Sequence, residues 1–162
     1  VNVHVNKVKF FRAFNSIYGK IGSTASSSTL VHLLQSKCLS ALLYNYETVF
    51  LSKSQINNLN FCVNMAFIKI FHVRDSASIA WCKYYSNLLP IELMLDYRSF
   101  KFLVKIGNSK CPIISHVYKN LCSDRLKNIG LKYLINREKI SVGLFLKTLW
   151  ENFLANCNNN TV

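Results

Sequence analysis

The sequence predicts an all-α fold, an irregular bundle of six or seven short helices, on three observations. Apolar residues recur at intervals of three and four along most of the chain, Ser or Asp stands at capping distance ahead of several of those runs, and Pro or Gly marks the breaks between them. One segment alternates instead: Val1-Asn2-Val3-His4-Val5 places Val3 and Val5 as the inward residues of a short strand would be placed. At 162 residues the chain fits one compact domain, which buries about 70% of the surface its unfolded form exposes.

The elements follow in order. Val8, Phe11, Phe14, Ile17 and Tyr18 form the stripe of a first helix, interrupted by Gly19 and Gly22. Residues 21–29, IGSTASSST, are too small and hydroxyl-rich to favour a helix throughout, but their serines can cap a second helix carrying Leu30, Leu34, Cys38, Ala41 and Leu42. Ser52 and Gln55 have capping-box spacing ahead of Ile56, Leu59, Val63, Phe67 and Ile70, the third helix. Asp75 or Ser76 opens a fourth through Ile79, Trp81 and Tyr84, which ends near Asn87 because residues before Pro90 avoid the helical region. A short linker is expected over residues 87–89. Pro90 then starts a fifth helix to about Ile106, with Gly107 as its left-handed terminus, and Pro112 starts a sixth. The sixth carries Ile113, Val117, Leu121 and Leu126 on its apolar side and ends by Gly130; Val142, Phe145, Leu149 and Phe153 define the last. Only residues 106–112 have linker character. Little Gly, Pro or charge separates the flanking parts, so a single helical unit over 1–162 is expected, with residues 7–73 and 74–162 as successive layers.

Charge points to an anionic partner. Twenty Lys and Arg against seven Asp and Glu leave a formal +13, and 51% hydrophobic residues exclude a charged disordered tail. Nucleic acid is the first choice of partner; anionic lipid or an acidic protein surface carries the same sign. Cys38, Cys62, Cys82, Cys111, Cys122 and Cys157 form no CxxC and no short Cys/His ladder, so neither a zinc site nor a disulfide framework is signalled. Reduced, buried thiols in an intracellular protein, nuclear or cytoplasmic, are expected. No apolar run reaches the roughly 20 residues of a membrane span. The first residue is Val1 rather than Met, which leads to the expectation of a piece of a longer chain, and the sequon at Asn159-Asn160-Thr161 lies in an Asn-rich stretch where chance explains it.

Active-site chemistry is hard to assemble from these residues. Of Glu47, Asp75, Glu92, Asp96, Asp124, Glu138 and Glu151, only Glu92 and Asp96 fall close together, one helical turn apart, and an exposed pair beside Arg98 accounts for them. His4, His32, His72 and His116 have no metal-binding or triad context, and no glycine-rich phosphate loop occurs. His72 beside Arg74 reads as a helix-boundary residue, and Cys38 beside Lys37 as a structural thiol. No catalytic residue, metal or cofactor is expected. The cations carry more. Lys7, Lys9, Arg12 and Lys20 load a flank of the first helix; Arg98, Lys101 and Lys105, three and four apart, make a sharper stripe on the fifth; Lys127, Lys132, Arg137, Lys139 and Lys147 extend the excess. Trp81-Cys82-Lys83-Tyr84-Tyr85 interleaves rings with a cation. Trp81 and Tyr85 share a face while Tyr84 turns away, which makes the first two candidates for base stacking, though core packing competes for the same rings.

Four phrases in fixed order carry a family resemblance: FFRAFNSIYGKIG at residues 10–22, LLQSKCLSALLYNYE at 33–47, LSKSQINNLNF at 51–61 and FIKIF at 67–71, with a looser continuation at 81–103. They resemble the helical thumb, and the region just after it, of LINE-type (non-LTR) retrotransposon reverse transcriptases. The resemblance covers rather more than half of the chain. It implies a non-catalytic fragment that presses on an RNA/DNA or RNA template-primer duplex, chiefly through phosphates, while the polymerase carboxylates belong to an upstream palm. Lys20, Lys37 and Lys69 match recurrent basic positions in those motifs. Met65 stands where members often carry a basic residue, and Asn45 replaces the Gly that commonly follows LLY. The competing expectation is a structural or protein-interaction helical module derived from a decayed element.

Overall fold

Phe10 and Phe14 set how the chain begins. One turn apart, with rings stacked at 6.3 Å, both are buried, which commits the segment to a helix rather than the alternating strand that Val3 and Val5 suggest. The computed structural model describes residues 3–133 and 141–159, the Leu121 side chain excepted. Nine α-helical segments and two π turns occur among them, and no strand: α1 Val3–Ile21, α2 Ser27–Leu33, α3 Leu39–Leu42, α4 Lys53–Phe71, α5 Ser76–Tyr85, α6 Ile91–Gly107, α7 Pro112–Val117, α8 Ser123–Lys132 and α9 Val142–Asn159. The number exceeds the expected six or seven because π turns at Leu34–Cys38 and Tyr118–Cys122 divide what periodicity reads as single helices.

Local chemistry explains most boundaries. Ser26 accepts from Thr29 N ahead of α2, Ser52 and Gln55 close a reciprocal capping box ahead of α4, and Asp75 accepts from Ser78 N at 2.7 Å ahead of α5. Each such cap is worth about 1 kcal/mol. Helix α1 runs through Gly19 and stops at Gly22, where a Cβ would collide with the Tyr18 carbonyl and ring. Three non-glycine residues take left-handed backbone at breaks: Asn45 (φ 64°), His72 (φ 57°) and Asn87 (φ 55°). His72 is thereby the C-cap of α4, its N–H donating to Ile68 O. Gly107 is not left-handed. It ends α6 in ordinary backbone, and its missing Cβ admits the Tyr118 ring, which a methyl group would meet at 3.0 Å.

Two apolar cores share one wall. The first is built by α1 to α4 around Phe10, Leu34, Leu42, Leu59 and Phe67 and closed by Ile79, Leu88, Ile91 and Leu95. The second gathers Leu89, Phe100, Leu103 and Ile129 against Phe145, Leu149, Phe153 and Cys157 of α9. Helices α5 and α6 face both, so the cores meet along that pair rather than at the expected linker 106–112. The sixth predicted helix departs furthest from expectation. Ile113 is 75% exposed and Val117 is exposed, Gly130 is buried inside α8 instead of ending it, and of the expected stripe Leu126 packs on the second core. The π turn explains this, since one extra residue per turn rotates the face of α8 away from that of α7.

No helix among the described residues is long and apolar enough to cross a membrane. Cys38, Cys62 and Cys157 are buried, whereas Cys82 and Cys122 are half-buried and Cys111 is exposed, so burial covers half of the thiols expected to be inside. Desolvation pushes the Cys38 thiol up to about 11, which keeps it protonated and unreactive at neutral pH. Arg137, Glu138, Lys139, Asn160 and Thr161 lie outside the described residues.

Candidate nucleic-acid interface

The distribution of acids decides where the positive surface lies. Residues 1–74 hold eight Lys or Arg and a single acid, Glu47, and that acid is turned toward the other half of the molecule. Glu47 Oε1 accepts from Arg98 Nε at 2.8 Å and from Nη2, joining the 43–52 loop to α6. A second arginine holds the same loop: Arg125 Nη2 donates to Val49 O and to Ser99 Oγ, each at 3.2 Å, and its guanidinium lies 4.5 Å from the Phe50 ring centre. Buried Tyr46 and left-handed Asn45 complete the loop's fixed course.

A basic groove results. Arg98, Lys101 and Lys105 fall within an arc of about 60° on α6, and with Asn45, Glu47, Thr48, Tyr97 and Phe102 they line an open cleft of about 450 Å³ whose one acid, Glu47, is paired to Arg98. Lys101 and Lys105 are exposed and have no acidic partner among the described residues; Arg98 spends its charge on Glu47. The expected stripe therefore exists, with two free ammonium groups and one engaged guanidinium. Its neighbour on α6 is an acid pair that does not meet Arg98. Glu92 and Asp96 both accept from Lys132 Nζ of α8 at 2.7 Å, and Tyr133 Oη donates to Asp96 at 2.6 Å. Burial pulls the Lys132 ammonium down, but hydrogen bonds to Asp96 and Glu92 hold it above the usual lysine range, so the carboxylate pair carries its own counter-ion. No group of His, Cys, Asp and Glu suited to a metal occurs among the described residues.

The other predicted cations are spread over three elements, α1, α4 and the first π turn. Arg12 and Lys20 are exposed on α1, eight residues and so about 80° apart around its axis. Lys69 of α4 lies against α1, its Nζ 3.4 Å from Asn15 Oδ1 and 4.7 Å from the Tyr18 ring centre, while Tyr18 Oη donates to Lys69 O. Lys37 is exposed on the first π turn, on a different element. Trp81 and Tyr85 do come together: their rings stack at 5.7 Å and 26°, with Tyr85 79% exposed. That exposure removes Tyr85 from the core, while Tyr84, expected to turn away from the pair, meets both rings edge-on at 5.7 and 5.6 Å and also reaches Trp150 and Phe153. The pair borders a cleft of about 770 Å³ with Val31, His32 and Gln35, tied by Gln35 Nε2 donating to Ser86 O at 2.9 Å; no Lys or Arg lines it.

Compared with protein-family models, curated proteins and solved structures, the chain matches none. Its functional reading thus stands on the basic groove, the aromatic pair and the residues that hold them. Sequence reasoning does not name Arg125, and it takes Lys132 only as part of the charge excess and Lys83 only as a cation among rings, without their partners. For Lys83 a signal existed, since it falls one turn after buried Ile79 on the inward face of α5. For the other two, the partners lie 26 to 76 residues away and no local pattern names them.

Proposed function

We propose that this chain is a non-catalytic, thumb-like fragment that grips an RNA/DNA or RNA template-primer duplex through its phosphates. The observation that carries the proposal is the groove of α6 and the 43–52 loop, where Lys101 and Lys105 face solvent without acidic partners. Phosphates displace counter-ions from such a surface, which gives salt-sensitive binding with little sequence preference. The resemblance to LINE-type reverse transcriptases supports the same reading. Asn45, standing for the family's Gly, adopts the left-handed backbone that a Gly would serve, so the replacement keeps the loop's geometry. Tyr85 offers one free ring face to an unpaired base at the other cleft.

The test is a salt titration of duplex affinity. K101Q/K105Q should lower the log–log salt slope by about 2 on duplexes of unrelated sequence. K110Q/K119Q, equally exposed and outside the groove, should change it less. Equal losses from the two pairs would assign the attraction to net charge, and no binding by the folded parent at low salt would refute the proposal. A second reading, a protein-interaction module, is favoured by the bare apolar face of α7, where Ile113, Ile114 and Val117 are 75%, 40% and 42% exposed.

A further inference from the structure

A cation is buried here without a counter-ion. Lys83 retains 5% of its accessible surface, and its Nζ donates to Asn60 Oδ1 at 3.1 Å and to Asn64 Oδ1, two residues one turn apart on α4. Amide oxygens satisfy two of the three ammonium N–H groups but supply no charge. No acceptor among the described residues takes the third, and none of the ion pairs includes Lys83. A buried charge left in this condition costs several kcal/mol. Desolvation accordingly holds the amine down at about 8.

The same side chain lines a cleft of about 430 Å³ bounded by α4, α5 and α9. Arg74 is the one other charged residue along it, Ser76 and Asn156 add neutral polar groups, and Phe61 and Met65 present apolar surface that is 56% and 40% exposed. Two cations, no acid and an uncovered apolar wall are complementary to one kind of molecule. We propose that this cleft binds a small amphipathic anion, a carboxylate or phosphate monoester on an aromatic or apolar body, with its head at Lys83 and Arg74 and its body against Phe61 and Met65. The anion supplies the counter-charge that Asn60 and Asn64 cannot, and the body covers the apolar wall.

Binding is coupled to one proton. The amine is hydrogen-bonded to Asn60 and Asn64 of α4, and Arg74 of the α4–α5 connection and Asn156 of α9 line the same cleft. Asp75 is held as the α5 cap by Ser78 N, and Cys82 lines the cleft on the opposite side of α5. Phenyl phosphate and benzoate, titrated separately into the folded chain, test the site by calorimetry in buffers of differing ionisation enthalpy. Saturable one-site binding by either is expected, about tenfold weaker at pH 9 than at pH 7 and taking up nearly one proton at pH 9, as the protonated fraction of an amine near 8 dictates. K83M should abolish it, and N64D, which provides an internal counter-ion without removing the amine, should weaken it at least tenfold; K101Q/K105Q should leave it unchanged. Affinity that is level from pH 7 to 9, undiminished binding by N64D, or inorganic phosphate binding as well as phenyl phosphate would overturn the proposal.

Discussion

Replacing Lys83 by Met turns its burial into a measurable slope of stability against pH. The folded amine titrates near 8 and the unfolded one at 10.5. Between those values the unfolded chain holds a proton that the folded chain has released, so the contribution of Lys83 to stability rises with pH across that window. Below about pH 8 both states are protonated and the folded protein bears the whole cost of the buried charge, which comes to about 3 kcal/mol relative to the unfolded chain. Lys83 keeps only 5% of its surface, so solvent screening removes little of this. Met discards the charge and also the two hydrogen bonds that Lys83 donates to Asn60 and Asn64, so the absolute difference at pH 7 mixes two effects. The pH dependence of the difference isolates one of them. Urea unfolding followed by circular dichroism should show the parent gaining about 2 kcal/mol on Lys83→Met between pH 7 and 9.5 without added anion. The other ionisable groups are common to both proteins and cancel in the difference. A difference constant to within about 0.5 kcal/mol would refute the reasoning, because it would mean that Lys83 titrates normally in the fold.

Three further outcomes are expected. Phe67→Ala removes a fully buried ring stacked on Phe71 at 5.6 Å and should cost about 3–5 kcal/mol, read as a drop in melting temperature of about 10 °C. Asn6→Leu deprives the carbonyls of Leu42 and Tyr44 of the donor that ends α3, and denaturant unfolding should show a loss of about 2 kcal/mol. Glu47→Gln frees Arg98 into the groove, so duplex binding at low salt should tighten and its salt slope steepen by up to about 0.9 while the loop loosens; an unchanged slope would place Arg98 outside the phosphate track.

What the sequence made legible was local. Ser52 with Gln55, Asp75, Pro90 and Pro112 act on backbone within a turn of themselves, and each stands at or next to the helix start that its chemistry implies. The stripes of α4 and α9 were readable for the same reason, since a helix repeats its inward face at fixed spacing whatever it packs against. Periodicity names a face but not the partner. It therefore could not show that Arg98 turns to Glu47, 51 residues away, or that Lys132 neutralises Glu92 and Asp96. Nor does it register an inserted residue, which is why the π turn at Tyr118–Cys122 left Ile113 and Val117 assigned to a core they do not reach. Of the candidate interface, the α6 stripe was visible as spacing; its groove appears only when the 43–52 loop is laid beside it.

The wall formed by α5 and α6 has a consequence for the order in which the chain assembles. Every buried residue of the first core lies before residue 96, whereas four of the eight buried residues of the second come from α9. Synthesis proceeds from the N-terminus at roughly 5–20 residues per second, so the first core can close while the rear of α5 and α6 still faces water. For that interval Leu89, Phe100 and Leu103 are an uncovered apolar surface. Ribosome-stalled chains with residues up to about 130 clear of the exit tunnel should accordingly protect α1 to α4 from protease while presenting α6 as the site where chaperones bind, and chains with Cys157 also clear of the tunnel should lose that binding. Equal protease sensitivity of α1 to α4 at both lengths would show that the two cores close together.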